Sequence, residues 1–423
     1  MSELRPRAEL RSATPGIARH GRLKRHRAWP LVLQIIGASL AVVLVSGASV
    51  SAVVVNSLTS KIAPTIELTQ PTEGPLPQIG AIDGGFNILI VGSDTRQGQN
   101  GIGGDAEEES GQLNDVNMLL HVSQDQTNAV AISFPRDMVV DIPECVDEDG
   151  DTKGFSTEPI NVALYYGGLD CVAQTVSLLT GLPIQFAGII TFNGVIAMGD
   201  AVGGVPVCVT GPIDDPNTGL FIEQAGTYEL RGVDALAFLR SREGVGDGSD
   251  LTRIASQQVY LSSLVRKLQG EETLSDPKKV YDLASAALSN MQLSSSLASL
   301  DTMVSIALAL KDIPPSNVTF VQYPGTTGGS GVYSGKVQPD FTTGEQLMAY
   351  VAADQPFALP EAGDGRGSVT DPNAPAPEQP TTPETDPVTP DPSATPTEPV
   401  DKPVLEGVTG QPADAYTCSV ANE

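Results

Sequence analysis

Short apolar runs, separated by polar and turn-forming residues, recur along the chain from residue 86 onward. Runs of this length between turn residues are typical of buried strands. The predicted strands are Phe86–Val91, Met118–Val122, Ala129–Phe134, Ile184–Phe192, Val205–Val209 and Val318–Gln322. The polar residues 123–128 lie between the second and third of these strands and predict a hairpin.

Longer segments with helical spacing alternate with these strands. Cys171–Leu179 predicts a helix that stops at Gly181, and residues 194–202 predict another. Apolar residues on one face of 250–269 predict a helix with Asp250 as its N-cap, and residues 276–310 are also helix-like. The alternation of strands and helices predicts one layered α/β domain.

A segment without ionisable side chains, Ala28–Ser60, stands near the N-terminus. Roughly 20 apolar residues span a bilayer, and basic flanks stay in the cytoplasm. The preceding residues 1–27 carry eight Lys and Arg against two Glu. We therefore predict a cytoplasmic basic segment over 1–28 and a transmembrane helix over 29–57, with the remainder outside the cell. A cleaved signal peptide is the alternative, although its apolar region would be shorter.

Composition divides the exported part further. Residues 58–83 are polar, contain proline and predict a stalk, and 84–355 hold the predicted α/β domain. Eleven prolines fall within 372–403, so we predict a disordered acidic tail over 356–423. The chain carries a net charge of −27 although residues 1–27 are basic. So acidic an exterior repels nucleic acid, and we exclude nucleic acid as a partner.

Four cysteines lie in the exported part, and none forms a CxxC pair. An oxidising exterior favours a disulfide between Cys145 and Cys171, with buried free thiols as the alternative. With three histidines in the chain, a zinc site and a Ser-His-Asp mechanism are both disfavoured. His121 lies within an apolar strand and is predicted to be a core residue.

Charged residues stand at the ends of the first three predicted strands. Asp94 follows the first strand, Asp115 precedes the second and Arg136 follows the third. If these strands are antiparallel neighbours, all three side chains reach one sheet edge. Carboxylates are natural ligands for Mg²⁺ that bridges phosphates. A single Asp at a strand end is, however, more often a turn or cap residue.

A second polar cluster follows in Arg240-Ser241-Arg242. In extended chain both guanidiniums point the same way, while Arg253 and Gln257 share one face near a helix N-terminus. With Arg96 and Arg136, these arginines fall at element termini and indicate a polyphosphate site. Salt-bridged or solvated arginines remain the alternative.

At these residues the chain resembles the LytR-CpsA-Psr family of cell-wall phosphotransferases. The matching stretches are Asn87–Arg96, Asn114-Asp115, Ser133–Asp137, Ile160–Ala163, Asp200–Val205, Gly232–Arg242 and Asp250–Arg253 with Gln257. The resemblance implies a three-layer α/β/α fold with a central mixed sheet, which holds a polyprenyl-pyrophosphate lipid in an apolar tunnel.

The resemblance also implies roles for individual residues. Asp94 and Asp115 would hold Mg²⁺ or Mn²⁺, and either could also assist as a base. The residues implied at the pyrophosphate are Arg96, Arg136, Arg240, Arg242, Arg253 and Gln257. Asp94, Asp115, Arg136, Arg240 and Arg242 would carry catalysis, in which a peptidoglycan hydroxyl attacks the lipid-linked phosphate.

Two positions depart from the family pattern. Leu113 and Ser256 stand where family members usually have arginine, which reduces the positive charge expected at the phosphates unless Arg96 compensates.

The function implied is transfer of a glycopolymer from a polyprenyl-pyrophosphate carrier to peptidoglycan. The positions of Cys145, Cys171 and Cys208 resemble actinobacterial members, which implies a secondary wall polymer as donor. Two alternatives remain: a non-catalytic protein that binds the same lipid, and a polyprenyl-pyrophosphate hydrolase. Acceptor dependence separates the transferase from the hydrolase, and turnover separates both from the binding protein. The sequence makes no prediction of oligomeric state.

Overall fold

The computed structural model describes residues 39, 45–46, 49, 52–61, 64–69, 84–95, 112–147, 149–270, 276–375 and 402–422. Residues 1–57 form one unit and Leu58–Glu423 form another. The α-helices in the described part of the second unit are α1 (Ala163–Thr180), α2 (Phe192–Val202), α3 (Gly232–Arg240), α4 (Asp250–Gln269), α5 (Pro277–Asn290), α6 (Leu300–Lys311) and α7 (Phe341–Ala352).

The strands, in chain order, are β1 (Phe86–Ser93), β2 (Asn114–Val122), β3 (Ala129–Phe134), β4 (Val139–Ile142), β5 (Cys145–Val146), β6 (Thr152–Lys153), β7 (Ser156–Pro159), β8 (Phe186–Ile190), β9 (Val205–Val209), β10 (Ile213–Asp215), β11 (Leu220–Ile222), β12 (Gly226–Leu230), β13 (Met291–Leu293), β14 (Val318–Gln322), β15 (Gly325–Thr327), β16 (Val337–Pro339), β17 (Ser368–Thr370), β18 (Gly410–Pro412) and β19 (Thr417–Ser419).

Seven strands form a central mixed sheet in the order β13-β8-β1-β2-β3-β14-β18. β1 is antiparallel to β2 and β2 to β3, so the predicted hairpin is confirmed. β8 and β14 run parallel to β1 and β3, respectively, and the edge strands β13 and β18 are antiparallel. The start of β2 therefore lies at the same sheet edge as the ends of β1 and β3.

Alternating side chains of the sheet face two helical layers. Leu89 packs in one buried cluster with Val172 of α1 and Leu347 of α7. Ile88, its neighbour in β1, lies in a separate cluster with Leu288 of α5 and with α6. Because successive side chains of a strand point to opposite faces, one strand serves both cores. The predicted α/β fold with a central mixed sheet is confirmed.

Two helix predictions need correction in detail. Helix α4 covers Asp250–Gln269 as expected, but its N-cap is Ser249, whose side chain accepts the N–H of Thr252. Asp250 is the first helical residue. The helix-like stretch 276–310 is divided into α5 and α6 because Met291–Leu293 pairs with the sheet as β13.

Helix α1 carries the predicted disulfide between Cys145 and Cys171. A Cβ on Gly167 would lie 2.9 Å from the Cβ of Cys145 and 3.0 Å from that of Cys171, so a side chain there would displace the disulfide. The helix is kinked at this point, since Gly168 has a φ of 63°.

A span of helical residues, Ile160–Thr180, is long and apolar enough to cross a membrane. It meets that criterion as a core helix, because its residues pack against the central sheet and Cys171 is disulfide-bonded. Residues 52–59 are helical. Most of the predicted anchor, 29–57, falls outside the described residues, and the anchor stays a prediction.

The predicted disordered tail over 356–423 is wrong for the parts of that range that the structure describes. β18 joins the central sheet, while β17 and β19 join a second sheet in the order β12-β9-β19-β17. Leu405 and Val408 are buried in the main core, and a second disulfide joins Cys208 to Cys418. The domain therefore extends past residue 355, because apolar residues resume after the proline-dense segment. Residues 376–401 lie outside the described residues.

The predicted stalk also contacts the domain where it is described. The N–H of Ile66 donates to the carbonyl of Leu293 at 3.0 Å, and Thr69 hydrogen-bonds to Asp170. Residues 64–69 of the predicted stalk thus lie along the edge of the central sheet and bind to the domain.

Candidate functional site

A cavity of about 470 Å³ opens beside the sheet edge where β1 and β3 end and β2 begins. Four arginines and one carboxylate line it among the described residues: Arg136, Arg240, Arg242, Arg253 and Asp115. The remainder of its wall is predominantly apolar, and much of it comes from α2, α3, α4 and α5, with Val195, Met198, Leu236, Leu239, Leu261, Leu264, Leu268 and Leu283 among the lining residues.

Helix α4 gives the cavity a change of polarity along its length. Arg253 and Gln257 line it from the first two turns, whereas Leu261, Leu264 and Leu268 line it from the last turns. At 1.5 Å per residue, the step from Arg253 to Leu268 covers about 22 Å. The polar end coincides with the helix N-terminus, which itself favours an anion. The cavity thus suits an anionic head joined to a long apolar chain.

The predicted meeting of Asp115 and Arg136 is confirmed. The guanidinium of Arg136 donates to Oδ1 of Asp115, and both side chains are about three-quarters buried. Burial alone would lower the pKa of Arg136, but the carboxylates of Asp115, Asp250 and Asp137 outweigh it and raise that pKa. The Nε atoms of Arg136 and Arg253 are buried and have no hydrogen-bond acceptor within the described part of the chain. Both residues line the cavity, and each keeps one donor that these hydrogen bonds do not use.

Asp250 organises the arginines, a role that the sequence does not indicate. Its Oδ1 accepts from Arg242 at 3.1 Å and from Arg253 at 2.6 Å. Its Oδ2 accepts the backbone N–H of Arg136 at 3.1 Å. Its position at the start of α4 predicts helix capping alone, whereas two of these three contacts come from segments outside the helix. Arg253 also donates to the carbonyl of Asp115 at 2.8 Å.

Arg240 and Arg242 both line the cavity, but not as an extended strand. Arg240 is the last residue of α3, and Ser241 then adopts an extended conformation that brings Arg242 to the same cavity. The Arg240 guanidinium stacks over the ring of Phe192 at 4.3 Å. Burial and the positive charges of Arg253 and Arg136 lower the pKa of Arg242. An anion at this position would relieve the repulsion among these guanidiniums.

Asp94 stands at the predicted sheet edge, next to the start of β2. Its Oδ1 accepts the N–H of Leu113 at 2.9 Å, and its own N–H donates to the carbonyl of Leu113 at 3.2 Å. Asp94 does not line the cavity as Asp115 does. Arg96 lies outside the described residues, so its predicted contact with the phosphates stays a prediction.

The other departure from the family pattern, Ser256, faces away from the cavity. Its hydroxyl is buried and lies 2.8 Å from Oγ of Ser419 and 3.3 Å from the carbonyl of Gly367. Gln257, next to it, lines the cavity and donates to the carbonyl of Leu239 at 2.8 Å. The serine therefore accommodates the C-terminal segment and leaves no gap among the arginines that line the cavity.

The oxygen donors of Asp94 and Asp115 belong to adjacent strand ends, and oxygen donors are the ligands that Mg²⁺ prefers. A Mg²⁺ ion held by these two carboxylates would need most of its ligands from other oxygen donors, such as a bound anion or water. Among the described residues, one group of three side chains has metal-ligand spacing, Cys208, Asp371 and Cys418. Its two cysteines form a disulfide, so it offers no thiolate ligand.

His121 is buried away from the cavity, as predicted. Its Nδ1 lies 2.8 Å from Oδ1 of Asn87 and its Nε2 lies 2.9 Å from Oδ1 of Asp354. It therefore acts as a core residue.

Known proteins resemble this chain in sequence and fold. It is 31% identical over 286 residues to the cell wall biosynthesis protein LcpA of Corynebacterium glutamicum, covering 61% of this chain and 53% of that protein. It is 26% identical over 243 residues to the polyisoprenyl-teichoic acid–peptidoglycan teichoic acid transferase TagT of Bacillus subtilis, covering 56% of this chain and 69% of that protein. The chain thus spans about half the length of LcpA.

In fold, the chain is similar to a LytR-Csp2A-Psr enzyme from Actinomyces oris. The TM-score is 0.51 at 22% identity, over 69% of this chain and 96% of that one. The sequence model of the LytR_cpsA_psr family matches residues 50–347, well over half of the chain. The protein therefore belongs to the LytR_cpsA_psr family.

Proposed function

We propose that this protein transfers a glycopolymer, or its phosphate-bearing linkage unit, from a polyprenyl-pyrophosphate carrier to peptidoglycan. The observation that carries the proposal is the cavity, in which four arginines adjoin a long apolar wall. The name of a relative supports the proposal, since TagT is a polyisoprenyl-teichoic acid–peptidoglycan teichoic acid transferase. The proposed location is the outer face of the cell membrane, with 29–57 as a single-pass anchor.

The arginines would act on the charge of the pyrophosphate. Bidentate guanidiniums match phosphate oxygens in geometry, and Asp250 holds Arg242 and Arg253 with both facing the cavity. As the bond to the carrier phosphate breaks, negative charge grows on the leaving polyprenyl phosphate. Preorganised cations stabilise that charge without having to rearrange.

Asp94 and Asp115 would hold Mg²⁺ or Mn²⁺, which when bound neutralises phosphate charge. Asp115 is the better placed of the two to accept a proton from the attacking sugar hydroxyl, because it lines the cavity. The apolar residues of α4 and α5 would hold the polyprenyl chain and exclude water from it.

The test uses the full chain in detergent micelles with Mg²⁺, a polyprenyl-pyrophosphate oligosaccharide and peptidoglycan fragments. Coupled product is followed by mass spectrometry for the native protein and for Arg240→Ala/Arg242→Ala. Arg231→Ala is the matched control, because Arg231 is exposed and stands just before α3. We expect product from the native protein and the control, and none from the double variant.

Each other outcome identifies a different function. Release of the oligosaccharide phosphate without acceptor would indicate the hydrolase. Lipid that binds without any turnover, with several donors, would indicate a binding protein. Product that is unaffected by Arg240→Ala/Arg242→Ala would refute the proposed site.

A further inference from the structure

A second buried carboxylate, Asp215, lies behind the arginines and belongs to none of the matching motifs. It ends β10, and its residue surface is 1% exposed. Its Oδ2 accepts the hydroxyl of Ser241 at 2.7 Å and the backbone N–H of Arg242 at 3.1 Å. The N–H of Gly244 approaches the same oxygen at 3.4 Å. This oxygen therefore binds the loop that carries Arg242.

The other oxygen of the same carboxylate binds a different segment. Oδ1 of Asp215 accepts the backbone N–H groups of Asn217 at 3.0 Å and Thr218 at 3.3 Å. Both of these residues line the cavity, as Arg242 does. One carboxylate thus joins the turn between β10 and β11 to the arginine loop, and both segments form part of the cavity wall.

Close packing around Asp215 restricts movement of the turn and the loop that it joins. A Cβ on Gly244 would lie 2.6 Å from Cγ2 of Ile213 and 3.2 Å from Cβ of Asp215. Burial would raise the pKa of Asp215, but the hydrogen bonds from Ser241 and from backbone N–H groups outweigh it and lower that pKa. The carboxylate is thus kept charged, and its bonds to the loop are charge-assisted.

We infer that Asp215 is a positioning residue for the pyrophosphate site, holding Arg242 and the Asn217-Thr218 turn in register around the ligand. The inference rests on the proposed function. Asp215 would not touch the substrate and would act through the loop of Arg242. Sites of this kind lose binding when the supporting residues no longer hold the contacting side chain in place.

The test measures binding of farnesyl pyrophosphate, which carries the pyrophosphate and a short apolar chain, to the full chain in detergent micelles with Mg²⁺. Asp215→Asn keeps the shape of the side chain but replaces one acceptor oxygen with an NH₂ group, which then faces N–H or O–H donors. We expect the Kd to rise about tenfold, the scale of one lost hydrogen bond to a charged group. Asp214→Asn is the matched control, because Asp214 is the exposed neighbour in β10, and it should leave the Kd unchanged.

A double-mutant cycle separates positioning from a general loss of structure. Arg242→Ala retains Arg136, Arg240 and Arg253, so weakened binding can still be measured. Because Asp215 acts mainly through Arg242, Asp215→Asn should add a much smaller loss in the Arg242→Ala background, limited to its hold on the Asn217-Thr218 turn. An equal loss in both backgrounds would overturn the inference, as would a native Kd in Asp215→Asn.

A milder variant covers the case in which Asp215→Asn does not fold, which thermal unfolding would reveal. Ser241→Ala removes one donor and keeps the carboxylate, and we expect the Kd to rise about threefold, again only when Arg242 is present. An unchanged Kd in Ser241→Ala would then overturn the inference. Failure of the native protein to bind farnesyl pyrophosphate would instead overturn the proposed site, and this inference with it.

Discussion

Arg253 and Asp250 form an ion pair of 2.6 Å within the first turn of α4, and their side chains are only 5% and 7% exposed. The same Asp250 oxygen also accepts from Arg242. Removal of one member of a buried ion pair is strongly destabilising, because it leaves the other charge buried without compensation. This pair lies at the polar end of the cavity, where an anionic ligand would bind. The same two residues therefore affect both the stability of the domain and the charge of its cavity.

Asp250→Asn should destabilise the protein by about 3 kcal/mol, because it leaves the buried guanidinium of Arg253 and the partly buried one of Arg242 without their shared carboxylate. The measurement is urea unfolding followed by circular dichroism. Asp234→Asn is the control, since Asp234 is an exposed acid in the first turn of α3 and should cost about 0.5 kcal/mol through the helix dipole. Equal losses in the two variants would contradict the role assigned to Asp250.

Loss of the disulfide between Cys208 and Cys418 should destabilise the domain more than loss of the one between Cys145 and Cys171. The first closes a loop of 210 residues and the second a loop of 26. Chain entropy predicts a cost of about 2–5 kcal/mol for either, larger for the longer loop. Urea unfolding of Cys208→Ser/Cys418→Ser and of Cys145→Ser/Cys171→Ser compares them directly. A greater loss in the second variant would show that loop closure does not dominate.

Ser256→Arg, which introduces the residue usual in the family, should destabilise the protein without improving pyrophosphate binding. The serine is buried against Ser419 and Gly367, so an arginine there would bury a charge without a partner, at a cost of about 3 kcal/mol or more. Ser256→Ala, the control, should lose about 1 kcal/mol. Unfolding and farnesyl pyrophosphate binding measure the two effects. Tighter binding by Ser256→Arg would show that the side chain reaches the cavity after all.

His121 should make the folded domain less stable as the pH falls below about 6.5. Burial lowers its pKa from the ordinary value of 6.5, although the hydrogen bond and charge of Asp354 act in the opposite direction. Below that value the unfolded chain takes up a proton that the folded protein resists, so the free energy of unfolding decreases as pH decreases. The stabilisation that comes from keeping His121 neutral is fully present above the pKa of this histidine in the unfolded chain.

The measurement is urea unfolding of the native protein and of His121→Gln at about pH 7.5 and about pH 5.5. The native protein should lose more stability over this interval than the variant, which has no proton to take up at this position. Equal losses in the two proteins would mean that the imidazole is protonated as readily in the folded state as in the unfolded one.

Local patterns predicted much of the site because its residues stand at element ends. Strand lengths and the polar residues 123–128 indicated the hairpin, and the hairpin brings Asp115 to Arg136. Helical spacing likewise brought Arg253 and Gln257 to one face. The sequence does not predict the contacts of Asp250 and Asp215. Each carboxylate joins segments that are distant along the chain, and no common hydrophobic periodicity connects those segments.

The amino-acid sequence by itself predicted the strands β1, β2, β3, β8, β9 and β14, the helices α1, α2 and α4, and the arginines that line the cavity, since these depend on periodicity and on residue type. Tertiary structure alone decided where the chain after residue 355 goes. Its local composition is rich in proline and acid, yet Leu405, Val408 and Cys418 are buried. Their burial depends on partners distant in the sequence, and pairing over such distances leaves no periodic signal in the chain.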